Sequence, residues 1–445
     1  MRRAGSLSLL VVLTCGLANA QAPASPAKLQ TPRQTSTTPT PLSLAEAEAI
    51  ALKNNPQITI GRLRALVAGQ YVRESRSALL PNAYLSLTGV DANPGSRLTA
   101  GFLNNPILFP RAAGGATVTQ LVTDFGRTTN LLSSSEYGAK AEDQNAAATR
   151  ADIFLAVDQA FYNSLETQAL VKVADETVQA RQTLVDKVQA LTDAKLKSEL
   201  DLSFSKVELA RAKLLLLEAR NNFQAALAGL SAVLGYPSEQ NFALVEETAA
   251  LAPPAPDVQP LIQQALVQRP EIKARQFEVE SARKFGRAEH DLWRPSVNAL
   301  GVVGEAPVRD DHITPNWYGA VGVNVNIPVF NGFLYNARAK AADLQTEADR
   351  QRLRDLEDTI SRDVRVSWQD TNRAYERLSV TEQLREQADL ALDLSQARYN
   401  LGLGSIVELT QAELQKTEAD IARADATYQY RLTQMVLAFT IAAPK

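Results

Sequence analysis

Ala51-Leu52-Lys53-Asn54-Asn55-Pro56-Gln57-Ile58 returns 214 residues later as Ala265-Leu266-Val267-Gln268-Arg269-Pro270-Glu271-Ile272. At the same offset Pro81 meets Pro295, each closing a helical stretch and opening a strand-like one. Farther along the offset becomes 207: Val157 meets Val364, Phe161 meets Trp368, and Asp201-Leu202 meets Glu408-Leu409. The seven-residue difference implies a deletion between Pro295 and the second long helix. Self-similarity at a fixed offset marks a repeated structural unit. Each half reads as a short helix, a helix, a strand region, a very long helix and a shorter helix. The chain is a tandem duplication, with a first repeat over 42–250 and a second over 251–445.

Nothing breaks the long helices. Pro is absent from Arg111 to Tyr236 and from Val329 to Ala443, and within the long-helix stretches of each Gly is nearly absent. Residues from about Arg127 to Thr192, and from about Phe333 to Tyr399, can each run as one helix. Each would be roughly 100 Å long at about 1.5 Å per residue. In the second, Ile360, Val364, Ser367, Thr371, Ala374, Leu378, Thr381, Ala388, Ala391 and Ser395 follow three- and four-residue steps with few breaks. This is a coiled-coil seam, and its many small residues imply closely spaced helices. Taken alone, the pattern suits an ordinary soluble coiled coil equally well.

The segments between the helices widen the choice. Val321, Val323, Val325 and Ile327 alternate with Ala320, Gly322, Asn324 and Asn326, behind Trp317 and Tyr318. One face is lipid-like, the other small and polar, and the length suits a membrane strand of about 9–11 residues. Leu85 and Leu87 alternate with Tyr84, Ser86 and Thr88. Ala116, Val118 and Gln120 alternate with Thr117, Thr119 and Leu121, and Val297 to Val303 is a fourth candidate. These predict β-hairpins over 82–124 and 296–331. Phe109, Phe125, Trp293, Trp317 and Phe330 stand at the ends, as interface aromatics would. A pair of periplasmic hairpins packed on the helices would carry the same period-2 signal. If the strands enter lipid, four per chain cannot close a barrel, because membrane barrels begin at about eight strands. The two open edges would leave unpaired backbone groups, each costing several kcal/mol. A membrane form is therefore an oligomer, and sequence physics does not supply the number of copies.

The N-terminus indicates export. Arg2 and Arg3 precede an apolar Leu7–Leu17 stretch too short to span a membrane, and Ala18-Asn19-Ala20 supplies a cleavage pattern. A signal peptide is expected over 1–20. Its removal takes away both arginines and the single cysteine, leaving 44 basic against 49 acidic residues, a charge of -5. The alternative, lipidation at Cys15, meets a poor lipobox in Val12-Leu13-Thr14. Residues 21–41 are rich in Pro, Thr and Ser, a composition for a disordered linker. Ser43-Leu44-Ala45-Glu46 is a capping box that opens the folded part. No later stretch has the 18 or more consecutive apolar residues of a transmembrane helix.

Composition removes most other functions. Of 445 residues, 45% are hydrophobic and 21% charged, enough for a core, and the bias toward Ala, Leu, Gln, Glu and Arg suits long helices. The near-neutral charge offers no footprint for nucleic acid. One Cys and two His, His290 and His312 without ligand spacing, give no zinc site, and Asp310-Asp311 reads as a solvated loop. Two methionines, Met1 and Met435, leave a methionine-relay copper route unsupported. No Ser or Cys nucleophile pattern appears, nor a Walker glycine loop. Neither catalysis nor a cofactor is expected.

Ala397-Arg398-Tyr399-Asn400-Leu401-Gly402-Leu403-Gly404-Ser405-Ile406-Val407-Glu408-Leu409-Thr410-Gln411-Ala412 resembles a helix–turn–helix tip of the TolC family of outer-membrane efflux proteins. Leu44-Ala45-Glu46-Ala47 through Asn55-Pro56, the strand entrances at Pro81 and Pro295, and Phe330-Asn331-Gly332 are similar too, so the likeness spans 42–442. It implies a mixed fold, mainly α: a homotrimer with a 12-stranded outer-membrane β-barrel, four strands per chain, continued by a long α-helical coiled-coil barrel across the periplasm. It implies a passive exit duct of a tripartite efflux system, sitting in outer-membrane lipid. Its partners would be a periplasmic adaptor (membrane-fusion) protein and an inner-membrane pump of RND, ABC or MFS type. The exit channel of a type I protein secretion system is an alternative; from another class, so is a periplasmic coiled-coil scaffold that never inserts.

By the same resemblance Tyr399 matches the tyrosine that helps hold the periplasmic entrance shut. Glu408 matches an acidic position that rings the entrance and favours cations. Symmetric carboxylates in a constriction do focus negative potential, whereas a lone Glu408 would be an ordinary solvated charge. Gly404 stands where the best-known member has a gate arginine and Gln411 where it has a second aspartate, so a weaker latch or altered selectivity is expected. The adaptor would dock at the tips, on Lys195, Leu196, Lys197 and Ser198 in the first half and on Gly402, Leu403, Gly404 and Ser405 in the second. Lys195 occupies a usual glycine position and is expected to alter how its turn closes or how an adaptor fits. Lys195 and Lys197 also suit a merely solvated turn.

Overall fold

The duplication shows in the lengths of the elements. The computed structural model describes residues 40–97, 107–246, 251–308 and 316–442. The expected signal peptide, the linker up to residue 39, and Asp310, Asp311 and His312 lie outside these residues. The first half runs β1 (Thr40–Leu42), α1 (Leu44–Asn54), α2 (Pro56–Ser77), β2 (Asn82–Val90), β3 (Arg111–Thr123), α3 (Arg127–Asp193) and α4 (Glu199–Val233). The second runs β4 (Phe242–Leu244), α5 (Gln259–Gln268), α6 (Pro270–His290), β5 (Ser296–Val308), β6 (Trp317–Asn326), α7 (Leu334–Asn400) and α8 (Ile406–Thr440). The long helices α3 and α7 both have 67 residues, and α4 and α8 both have 35. Their ends fall within a residue or so of those read from the sequence.

Local chemistry sets the helix starts. Ser43 and Glu46 form the expected capping box, with the Ser43 N–H donating to Glu46 Oε2 at 2.8 Å. Asn55 caps α2 by accepting from the Gln57 N–H at 2.9 Å, with Pro56 in the first turn where it needs no N–H. The Asn55 amide also donates to the Val233 carbonyl at 2.9 Å, tying α2 to the end of α4. Beyond α4 the chain turns at Gly235, φ +81°, where an added Cβ would lie 2.8 Å from the Asn54 carbonyl oxygen. Only glycine fits there.

One boundary needs correcting. Thr40 and Pro41, assigned to the linker, belong with Leu42 to β1, which pairs in parallel with β4 through Thr40↔Phe242 and Leu42↔Leu244. The physical reason is burial: Leu42 is 2% exposed in a core with Ala47, Ala51, Val157, Phe161, Leu227 and Leu230. The repeat-related Val157 and Val364 are both fully buried, and burying one such side chain is worth about 1.5–3 kcal/mol. Along α7, Ile360, Val364, Ser367, Thr371, Ala374, Leu378, Thr381 and Ala388 are buried, while Ala391 and Ser395 are half-buried. The seam is thus where the sequence placed it, packed mainly on α8.

All four expected strands form one antiparallel sheet in the order β2-β3-β5-β6. Ile327, expected to end the last strand, lies just past it. Residues opposite one another share a face, so the register sorts the sheet. One face carries Leu85, Leu87, Val118, Val303, Val321 and Val323; the other carries Ser86, Thr88, Thr117, Thr119, Asn298 and Asn324. The apolar face is open: Leu87 is 82% exposed and Val321 92%. Phe125, Trp293 and Phe330 lie where the sheet meets the helices, and Phe109 and Trp317 at its far end. The outer edges of β2 and β6 pair with no other described strand. No helix among the described residues is long and apolar enough to cross a membrane.

Candidate functional site

The two hairpins α3–α4 and α7–α8 end in turns 207 residues apart with one backbone design. Lys195 and Gly402 both take left-handed φ, +60° and +73°. The Lys195 N–H donates to Thr192 O at 2.9 Å and the Gly402 N–H to Tyr399 O at 3.1 Å. Ser198 and Ser405 then cap the returning helices, accepting from Asp201 N and Glu408 N, both at 3.1 Å. The expectation that Lys195 alters turn closure is therefore not met by the backbone. The Schellman geometry dominates, and lysine adopts the strained conformation to complete it. Leu196 and Leu403, at matching positions, are 71% and 69% exposed and form the apolar apex of each tip.

Tyr399 is buried between the two hairpins. It is 3% exposed, packed with Leu184 and Val188 of α3 and Ile406 and Leu409 of α8. The Lys197 ammonium sits over its ring, 4.1 Å from the centroid. Lys197 therefore joins the first tip to the second instead of being merely solvated. The Tyr399 hydroxyl is buried, and no described residue accepts its hydrogen bond. Burial and the nearby Asp201 carboxylate push its pKa up.

Glu408 is half-exposed and paired, accepting from Arg398 Nε at 2.9 Å, while Arg398 also donates to Leu403 O at 3.3 Å. Its charge is thereby partly balanced within the chain. Gln411 lies exposed one helical turn along α8. A side chain at Gly404 would start 3.3 Å from Arg398 Cβ, Glu408 Oε2 and Tyr399 N, tight but not closed. Lys195, Leu196 and Lys197 cluster at one apex and Gly402, Leu403 and Gly404 at the other.

Three further ties between the halves were not read from the sequence. Above the tips Arg181 of α3, 4% exposed, forms an ion pair with Glu413 of α8. Burial lowers the Arg181 pKa, against the opposing pull of Glu208. The signal was available: Arg181 precedes Leu184 and Val188 at seam spacing, and a charge in a seam asks for a partner. Nearby, Lys187 donates to Asn400 Oδ1 at 2.6 Å, and Lys416 bridges Asp389 and Asp420 at 2.7 Å each. Arg181, Lys187, Tyr399, Glu413, Lys416 and Asp420 line a crevice of about 430 Å³ between α3 and the α7–α8 hairpin. Higher up, Glu166 of α3 shares a hydrogen bond with Asp425 of α8, which accepts from Arg377 of α7 at 2.6 Å. Burial, then the Asp425 charge, pushes the Glu166 carboxyl up to about 7. His290 meets Asp343 at 3.1 Å, and no group of three or more His, Cys, Asp or Glu able to hold a metal occurs among the described residues.

A four-stranded sheet with one apolar face, continued by two long helical hairpins, is the fold of outer-membrane channels. It is similar to that of CusC, with a TM-score of 0.79 at 16% identity over 89% of this chain and 91% of that one. It is also similar to VceC of Vibrio cholerae, at 0.75 and 17% over 89% and 95%. The chain belongs to the outer membrane efflux protein family, whose profile matches residues 49–236 and 261–442, one segment in each half. It is 21% identical over 408 residues to outer membrane protein TolC of Escherichia coli (strain K12), covering 86% of this chain and 78% of that protein. It is an outer-membrane efflux channel protein that extends into the periplasm.

Proposed function

We propose that three copies of this chain form the passive exit duct of a tripartite efflux system. The observation that carries the proposal is the sheet: its apolar face is open and the β2 and β6 edges are unpaired. In hydrocarbon those edges demand partners. Three four-stranded sheets joined β6 to β2 give the 12-stranded wall, within the range of known membrane barrels. The helical hairpins then continue the wall into the periplasm. The tips, with Leu196 and Leu403 at their apices, dock an adaptor coupled to an RND, ABC or MFS-type pump, which supplies the energy. Tyr399 closes the periplasmic end by holding the two hairpins of each chain together. Glu408, brought together in three copies, favours cations, moderated by Arg398.

Planar-bilayer recording of the mature protein tests this, beside Tyr399→Ala. Small, rarely open, cation-preferring channels that open further in the variant support a gated duct. Helical protein that stays soluble without detergent and never inserts would sink it.

A further inference from the structure

Across the sheet, near its loop end, runs the row Ser86–Gly115–Gly304–Tyr318, each residue directly opposite the next. All four are on the polar face, the face that looks into the duct when the apolar face meets lipid. The Tyr318 side chain does not stand up from that face. It lies down across β5 and reaches β3, so that a Cβ added at Gly115 would sit 2.6 Å from the Tyr318 hydroxyl oxygen. A Cβ at Gly304 would run into the same ring and would lie 2.6 Å from the Gly114 carbonyl oxygen. Neither glycine has a positive φ, so backbone conformation does not ask for glycine at either position. What both supply is room for the ring.

We propose that Gly115 and Gly304 form a slot that holds Tyr318 flat against the barrel wall, and that this slot sets the width of the duct at its outward end. The inference rests on the barrel reading above. In a closed barrel the row recurs in every copy, so several tyrosines would narrow one level of the lumen together if they stood up. Laid down, they leave a wall that passes bulky cargo and present only a ring face to it. Gly115 and Gly304 are thereby size-determining residues for transport, although neither offers a side chain to the cargo.

The test places a thiol below the slot. Asn298 is on the same face of β5, about 20 Å nearer the helices at about 3.3 Å per residue. The only native cysteine is Cys15, in the expected signal peptide. In intact cells, Asn298→Cys protein is treated from outside with a small methanethiosulfonate and with a maleimide carrying a polyethylene-glycol chain. Gly115→Ala is the informative variant, because its methyl meets first the movable end of the ring, with the Val303 carbonyl oxygen farther off at a tight 3.1 Å. Gly304→Ala also presses on backbone and serves as the second variant.

The large reagent is expected to react several-fold more slowly in Gly115→Ala, the small one at an unchanged rate. Adding Tyr318→Ala restores the fast rate. Tyr318→Ala alone changes nothing, since the ring is already out of the way. Equal rates in Gly115→Ala and its parent overturn the proposal. So does a slowing that survives Tyr318→Ala, or a speeding by Tyr318→Ala alone. If the small reagent fails to reach the thiol even in the parent, the barrel reading itself has failed, an outcome distinct from these.

Discussion

The two helix-turn tips have the same backbone and different chemistry. Both close through a left-handed residue, both are capped by serine, and both expose a leucine at the apex. Yet the aromatic ring, the Arg398–Glu408 pair and the two glycines all belong to the second tip, while the first offers two lysines. Duplication preserved what the fold requires, the hairpin geometry, and left the side chains free to diverge. The first tip then became a support for the second: Lys197 lies on Tyr399, Lys187 holds Asn400, and Arg181 reaches Glu413. The difference teaches that the second tip is held in place by the first half of the same chain, so the gate proposed at Tyr399 would depend on ties within each chain.

The largest effect should come from the ring at the centre of this asymmetry. Tyr399→Ala removes a buried aromatic shared by three helices, a loss of about 3–5 kcal/mol for comparable core truncations. Thermal melts by circular dichroism should fall, and bilayer recordings should show longer openings. Tyr399→Phe sharpens the point. It deletes only a buried hydroxyl without a partner, so stability should hold or rise slightly. A marked loss in Tyr399→Phe would mean that the hydroxyl bonds across to another copy of the chain.

Arg181→Ala should rank next, at about 3 kcal/mol, because it strands the largely buried Glu413 carboxylate. Arg181→Met with Glu413→Leu should recover most of the loss. If the single and double variants melt alike, the pair contributes nothing between the hairpins.

Much of this was legible in the sequence. The offset of 207 fixed the matching of α3 with α7 and α4 with α8, because unbroken helices cannot absorb insertions. Period-2 alternation at Val321–Val325 found the strands, since one face of an open sheet must differ from the other. Contacts between elements far apart in the chain were less visible. Nothing local to Lys197 says that it lies on an aromatic ring of the other half, and nothing near Glu166 announces Asp425. The chemistry of the tips followed from resemblance and that of the ties from packing. Tyr318 reads as a member of an alternating strand, and only the register reveals the two glycines beneath it.

A smaller effect, and one that separates the shaft from the tips, is set by pH. Glu166 binds its proton more tightly in the folded chain, about 7 against 4.5 unfolded. Between those values the folded state holds more protons, so stability falls as pH rises through that window and levels off on either side. Asp425 and Arg377 face Glu166 directly, the first raising and the second lowering its pKa, and Tyr428 lies nearby. Melting temperature measured across the window should decline more steeply in the wild type than in Glu166→Gln, which keeps the neutral form throughout. Identical slopes would remove Glu166 as the cause.

The smallest expected effect bears most directly on the comparison of the two tips. Lys195 holds φ +60° where its counterpart Gly402 holds +73°, and a non-glycine residue in that region costs about 1–2 kcal/mol. Lys195→Gly relieves the strain but frees the unfolded chain, which takes back part of the gain. The net should be a stabilisation of less than about 1 kcal/mol, whereas Gly402→Lys should destabilise by about 1–2 kcal/mol. Denaturant midpoints of the two variants read the difference. The measurement has a functional arm as well: if Lys195 serves only to close its turn, Lys195→Gly leaves adaptor binding unchanged. A loss of binding in a protein that is no less stable would show that the strain is kept for the ammonium at the apex, so that the first tip has its own recognition chemistry on the shared backbone.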